Sequence, residues 1–149
     1  MSERWTPHAT VATVIEQDGR FLMVEEVSSG KTVINQPAGH VEKGESILDA
    51  ARRETLEETG WTAEPQNLIG LYTYTAPSNG VTYHRYCFAA QAGEAIENAV
   101  LDDGIIGPRW MTIEELRNSP NLRSDMVLTC VEDYLAGRQF PLEIIVEHP

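Results

Sequence analysis

Positive charge is scarce in this chain. Lys and Arg number 11 against 23 Asp and Glu, a formal net charge of −12. Such a surface repels phosphate backbones, and no basic run or aromatic cluster of the RNA-binding kind opposes it, so no nucleic-acid partner is expected. Cysteine is scarcer still. Cys87 and Cys130 are too few for a disulfide framework and, in apolar surroundings, read as reduced core residues. Long apolar runs are missing: none approaches the roughly 18 residues of a membrane span, so no membrane partner is expected. The opening residues, MSERWTPHATV, hold no long apolar stretch and no cleavage-like site, so no signal peptide is read there. Together these absences point to the cytoplasm. Repeats, linkers and low-complexity segments are absent too, and 149 residues suit one domain over 1–149 with a sizeable core.

What is present alternates strand and helix signals. HATVATVIE (8–16) and FLMVEEV (21–27) read as a hairpin about the Asp18-Gly19 turn. A short β-branched stretch at 32–35 ends at Pro37-Ala38-Gly39. A helix is expected over 47–59, capped by Ser46 or Glu45 and stopped by Gly60. Strands follow at 67–75 and 81–91 with a turn at 77–80, then a polar loop at 93–107 and a short strand at 108–111. Thr112 and Glu115 form a capping-box pattern for a helix over 112–118, and a last helix covers 124–136 before Gly137. The fold class is α+β.

The densest information lies in residues 39 to 61, GHVEKGESILDAARRETLEETGW. Glu54, Glu57 and Glu58 stand at i, i+3 and i+4, so on a helix they share one face. Like charges at that spacing repel by a few tenths of a kcal/mol per pair, which invites a cation. Oxygen-only ligands favour Mg²⁺ or Mn²⁺ over Zn²⁺. Ile47, Ala50 and Ala51 lie on the same side as Glu54 and Glu58, so the carboxylates extend an apolar face and should be half buried with raised pKa values. The rival reading, from spacing alone, is an ordinary solvated acidic face.

The same run resembles the Nudix box, G-x5-E-x7-R-E-U-x-E-E-x-G-U with U a bulky apolar residue. Gly39, Glu45, Arg53, Glu54, Glu57, Glu58, Gly60 and Trp61 match at the required spacing, and Thr55 departs at the first U. The resemblance covers about residues 8–136. It implies a Nudix fold, a mixed β-sheet sandwiched between helices, and hydrolysis of a nucleoside diphosphate linked to another group with a divalent metal. It also implies metal ligation by Glu54, Glu57 and Glu58 with help from the Gly39 carbonyl. Glu45 and Arg53 brace the loop against the helix, with phosphate contact by Arg53 as the second reading. Phosphoryl transfer asks mainly for positioning and charge stabilisation, with a carboxylate to take the proton from water. Glu57 or Glu58 is the first choice for that base. The Asp102-Asp103 pair is the second, with Asp103 named as a candidate catalytic residue, although a solvated turn acid is the plainer reading of both.

Ahead of the box stands NQPAGH (35–40), where many Nudix proteins carry Trp-x-x-Pro-Gly-Gly. Ile34 occupies the usual Trp neighbourhood and Ala38 the first Gly. NQPAGH is instead similar to a narrower bacterial group of phosphatase-type Nudix enzymes, as are NLRS (121–124), GRQFPLE (137–143) and His8 at the head of the first strand. That similarity implies release of orthophosphate from hydroxymethylpyrimidine pyrophosphate, thiamine pyrophosphate and nucleoside tri- and diphosphates. A pyrophosphohydrolase of the nucleotide-pool or dinucleotide type is the alternative, and a non-catalytic ligand sensor the more distant one. Candidate substrate-binding residues are His40, Arg85, Tyr86 and Arg123. Strand alternation allows only one of Arg85 and Tyr86 to face a substrate. Arg123 precedes the last helix, whose N-terminus favours anions, but a surface salt bridge is its plainer reading. Trp5 is a candidate lid, while Trp61 and Trp110 read as core. Monomer and homodimer both stay open.

Overall fold

The computed structural model describes residues 3–148. Among the described residues, eight strands and three α-helices follow one another: β1 (His8–Val14), β2 (Glu16–Gln17), β3 (Arg20–Ser28), β4 (Lys31–Asn35), β5 (Ala38–His40), α1 (Ile47–Thr59), β6 (Trp61–Thr75), β7 (Thr82–Ala95), β8 (Ile105–Met111), α2 (Ile113–Arg117) and α3 (Asp125–Leu135). A single 3₁₀ turn at Leu142–Ile144 follows.

The strands form two sheets rather than one. The first runs β5-β1-β7-β6 and is mixed, because β1 pairs with β7 in parallel and the other pairs are antiparallel. The second holds β2, β3, β4 and β8 around β3. Alternation along β1 gives the mixed sheet two covered faces. Val11 packs with Ala50, Ala51 and Phe88 beneath α1. Ala12 and Val14 turn the other way, towards Met23 and Ile34 of the second sheet and Val127 and Val131 of α3. The expected α+β sandwich of sheet between helices is therefore observed.

Local signals account for most boundaries. Asp18-Gly19 and Ser29-Gly30 both take positive φ at two successive residues, the geometry of tight hairpin turns. The Ser46 hydroxyl caps α1 by accepting from Asp49 N–H at 3.0 Å, and Gly60 ends it at φ 75°. The Thr112–Glu115 capping box forms as read.

Several stretches differ from the sequence reading. The expected hairpin of 8–16 with 21–27 is confined to β2 and β3, because β1 leaves for the other sheet and pairs with β5 and β7. Ala38–His40 continues as a strand after Pro37 because β1 offers an open edge that pairs with it. β6 begins at Trp61 instead of residue 67, and Pro65 is tolerated because β6 is the sheet's outer strand. Its register places Trp61 opposite Ala95, which draws β7 out to Ala95 through what reads as loop. No local signal marks that pairing.

Candidate metal centre and substrate pocket

Helix α1 presents its carboxylates in graded burial. The Glu58 residue is 8% exposed, the Glu54 side chain 12% and the Glu57 side chain 37%. Gly39 explains how Glu54 fits. A Cβ on Gly39 would stand 2.1 Å from the Glu54 Cδ, so only glycine lets β5 lie against that carboxylate. Next along β5, Ala38 N–H donates to Glu58 Oε1 at 2.8 Å. The strand and the acidic face are thus pinned to each other.

Arg53 braces this arrangement. Its Nε and Nη2 donate to the two Glu45 oxygens at 2.7 and 3.0 Å, Nη1 donates to Glu54 and Glu57, and Nη2 also reaches the His40 carbonyl at 2.9 Å. These contacts match the five N–H donors of a guanidinium. The bracing reading of Glu45 and Arg53 is therefore the one the geometry supports, with no donor left over for phosphate.

Thr55, the departure from the box, is fully buried. Its hydroxyl donates to the Ala51 carbonyl at 2.8 Å and lies 2.9 Å from the Thr13 hydroxyl of β1. The polar atom that an apolar box residue would lack is satisfied across the helix–sheet contact.

The loop after β7 completes the acidic group. Asp102 N–H donates to the Glu57 carbonyl at 3.1 Å, which draws the loop onto the end of α1. Carboxylate oxygens of Glu54, Glu57 and Asp102 then lie within 4.8 Å of one another. Asp103 is exposed and stays outside this cluster, so the loop acid is Asp102. Burial raises the pKa of Glu54 above the usual carboxylate range, with Glu57 and Asp102 adding to the shift and Arg53 opposing it. Burial and then Asp102 raise that of Glu57. Burial pushes Glu58 up to about 8, against the Ala38 hydrogen bond, with smaller contributions from Glu26, Glu54 and Asp102. Mutually repelling, partly desolvated oxygens suit a hard divalent cation, which would favour their ionised forms.

Across β5 lies a pocket of about 370 Å³. Arg85 of β7 lines it, while Tyr86 packs on the opposite face of the sheet with the cluster of Val11 and Phe88. Strand alternation thus removes Tyr86 from the pocket. Asn35 and Gln36 accept from the Arg85 guanidinium at 3.3 and 2.9 Å. Tyr74 and Tyr83, paired across β6 and β7, supply aromatic walls. His40 also lines the pocket, and its Nε2 lies 3.0 Å from Nδ1 of His8, with Tyr83 edge-on to both rings. Burial first, and His8 next, hold His40 below the usual imidazole range. Arg123 stands at the wall half exposed and forms an ion pair with the mostly buried Glu26. That pair is not a surface pair, because Glu26 is only 7% exposed. Trp5 is 65% exposed and meets His84 edge-on. Trp61 and Trp110 pack edge to face.

Two of the distinctive short motifs, NQPAGH and NLRS, meet at this pocket, while GRQFPLE lies away from it. Backbone pairing joins residues 121–123 to β4, since Ile34 N–H donates to the Asn121 carbonyl and Arg123 N–H to the Ile34 carbonyl. Gln36 Nε2 donates to Val127 O in the first turn of α3 at 2.6 Å. Phe140 and Leu68 exchange backbone hydrogen bonds, so GRQFPLE straps the outer edge of β6.

Comparison with known proteins agrees with this geometry. The NUDIX domain matches residues 5–128. The chain belongs to the Nudix family. Its relatives include the phosphatase NudJ of Escherichia coli, 40% identical over 139 residues, which are 93% of this chain and 90% of the relative. A NUDIX hydrolase from Nitrosomonas europaea, 45% identical, superimposes with a TM-score of 0.94 over 96% of this chain and 98% of its own. A MutT NUDIX hydrolase from Burkholderia pseudomallei, 21% identical, shares the fold with a TM-score of 0.73 over 87% of this chain and 98% of its own. This Nudix chain is accordingly a hydrolase. No helix among its described residues is long and apolar enough to cross a membrane.

The Nudix-box reading named Gly39, Glu45, Arg53, Glu54, Glu57 and Glu58; Glu58, expected among the metal ligands, stands outside the cluster of Glu54, Glu57 and Asp102 and accepts from Ala38 N–H instead. Sequence reasoning missed Asn35 and Gln36 as holders of Arg85, and Glu26 as the partner of Arg123. No local signal marked Glu26, because FLMV is buried on both faces of β3 and a bulge separates Glu25 from Glu26.

Proposed function

We propose that this Nudix hydrolase removes the terminal phosphate of small organic diphosphates and nucleoside tri- and diphosphates as orthophosphate, using Mg²⁺ or Mn²⁺. The observation that carries the reading is the convergence of Glu54, Glu57 and Asp102 oxygens within 4.8 Å beside the pocket. These three side chains, with the Gly39 carbonyl, would hold the cation. When bound, it supplies positive charge at the phosphoryl oxygens and acidifies water.

The chain's own groups do the remainder. Glu58, with its pKa near 8 when no metal is present, accepts the proton from the attacking water. Arg53 keeps Glu54 and Glu57 oriented rather than touching substrate. Tyr74 and Tyr83 seat a cyclic organic group by stacking. A pocket of about 370 Å³ suits a single heterocycle better than a dinucleotide. The NudJ relatives, which are called phosphatases, support orthophosphate as the product.

Phosphorus NMR of the protein with Mg²⁺ and hydroxymethylpyrimidine pyrophosphate, then with GTP, tests this. Orthophosphate from both, lost in Glu58→Gln, is the expected result. Pyrophosphate from GTP would replace it with the pyrophosphohydrolase reading, and tight binding of both compounds without turnover would make the domain a sensor.

A further inference from the structure

Arg85 is 8% exposed and carries a full charge, yet its partners are two neutral amide oxygens with the Cys130 thiol beside them. No carboxylate pairs with it among the described residues, although the chain has 23 acids. Buried charges are ordinarily paired, because desolvation is otherwise uncompensated. The orientation of this guanidinium is nonetheless well determined. Gln36 gives its amide N–H to Val127 O, so its oxygen must face Arg85, where it accepts at 2.9 Å. Two of the five guanidinium N–H groups are used on Asn35 and Gln36, and the side chain lines the pocket.

The opposite wall points the same way. Ser124 lines the pocket at the start of the 11-residue helix α3, and its side chain makes no capping hydrogen bond. Val127 N–H is used on the Ser124 carbonyl, which leaves the first-turn N–H groups of Asp125 and Met126 to an anion. The neighbouring Arg123 also lines the pocket, with its charge taken up by Glu26, so Arg85 is the unpaired guanidinium there. A cationic cavity in a protein of net charge −12 has a chemical meaning: it selects oxyanions that the remaining surface repels.

We propose that Arg85 forms an oxyanion subsite separate from the acidic cluster. It binds the phosphate that remains on the organic product, while Glu54, Glu57 and Asp102 act at the phosphate that is released. Arg85 is thus a specificity-determining residue for diphosphates over monophosphates, since only a diphosphate reaches both places. This rests on the pocket being the substrate's seat, and it deepens that reading.

The test is a titration of the ¹⁵N-labelled protein with inorganic phosphate in excess chelator, followed by the Arg85 Nε–H and the amides of residues 124–127. Saturable shifts at these groups are expected in the wild type and in Glu54→Gln. Arg85→Gln should weaken binding about 10-fold or more, as the loss of a charge-assisted contact requires, with Arg85→Lys in between. An unmoved Arg85 signal in the wild type overturns the proposal even if the variants do not fold. So does equal affinity in Arg85→Gln. The product released from GTP by the wild type decides the reaction independently, so either idea can fail while the other stands.

Discussion

The acidic face of α1 and the pocket beyond β5 are neighbours with opposite character. The first gathers Glu54, Glu57 and Asp102, and the second is lined by Arg85 and Arg123. Three residues of strand, Ala38–His40, serve both: Gly39 and Ala38 touch the carboxylates, and all three line the pocket. They also differ in origin. All but Asp102 of the acidic face comes from one continuous run, whereas the pocket draws on β1, β4, β5, β6, β7 and the start of α3. The lesson is a division of labour. A compact, locally encoded patch concentrates negative charge, and a dispersed, tertiary patch holds the pocket's positive charge.

The largest effect should come from disabling one side only. Glu57→Gln is expected to lower kcat by about 10²–10³-fold, the usual loss when charge stabilisation at the reacting centre is removed. Tyr83→Leu should instead raise KM with kcat little changed, because it touches the pocket alone. Steady-state kinetics with one diphosphate substrate separates the two, and a kcat loss of equal size in both would erase the comparison.

Gly39→Ala attacks the shared wall. The added methyl collides with the Glu54 carboxylate, so kcat should fall about 100-fold through misplacement, while circular dichroism stays that of a folded protein. Full activity in this variant would mean that Glu54 can move without consequence.

Burial of Glu58 makes a pH prediction for the metal-free protein. Its folded pKa, about 8, lies above the ordinary value of 4.5, so the folded state holds the proton more tightly than the unfolded one. The resulting stabilisation is complete below 4.5 and is lost as pH rises through 8. His40 is depressed from 6.5, so its opposite effect is confined to lower pH. In chelator, Tm should therefore fall between pH 6.5 and 8, and Glu58→Gln should flatten the fall. Identical slopes in the two proteins would remove Glu58 as the cause. Added Mg²⁺ should reverse the trend, since a cation favours the ionised carboxylates.

The smallest effect concerns stability away from both patches. Thr55→Val strands the Thr13 hydroxyl and should cost about 1–2 kcal/mol in denaturant unfolding. Adding Thr13→Val should recover much of it, because both polar groups are then gone.

Legibility followed range. Ser46, Gly60 and Thr112 were readable as caps because a cap is decided by residues a few positions away. The box was readable for the same reason: i, i+3 and i+4 spacing already puts Glu54, Glu57 and Glu58 on one side of a helix. Asp102 and Asp103 could not be separated in the sequence, because which one approaches α1 depends on the hydrogen bond from Asp102 N–H to Glu57 O. The extension of β7 to Ala95 was equally invisible, since its partner Trp61 lies more than 30 residues away.

The sequence by itself determined the acidic helix, its end at Gly60 and the pattern of many strands with few helices that makes the class α+β, while the brace of Glu45 and Arg53 was implied by the Nudix resemblance. The first three rest on backbone periodicity and contacts within a short span of chain. Only the tertiary structure decided that Arg85 faces the pocket and Tyr86 does not, that Asn35 and Gln36 hold its guanidinium, and that Arg123 meets Glu26. Those outcomes depend on strand register and sheet order. Register is set by the burial of whole faces at once, and no local run of residues carries that information.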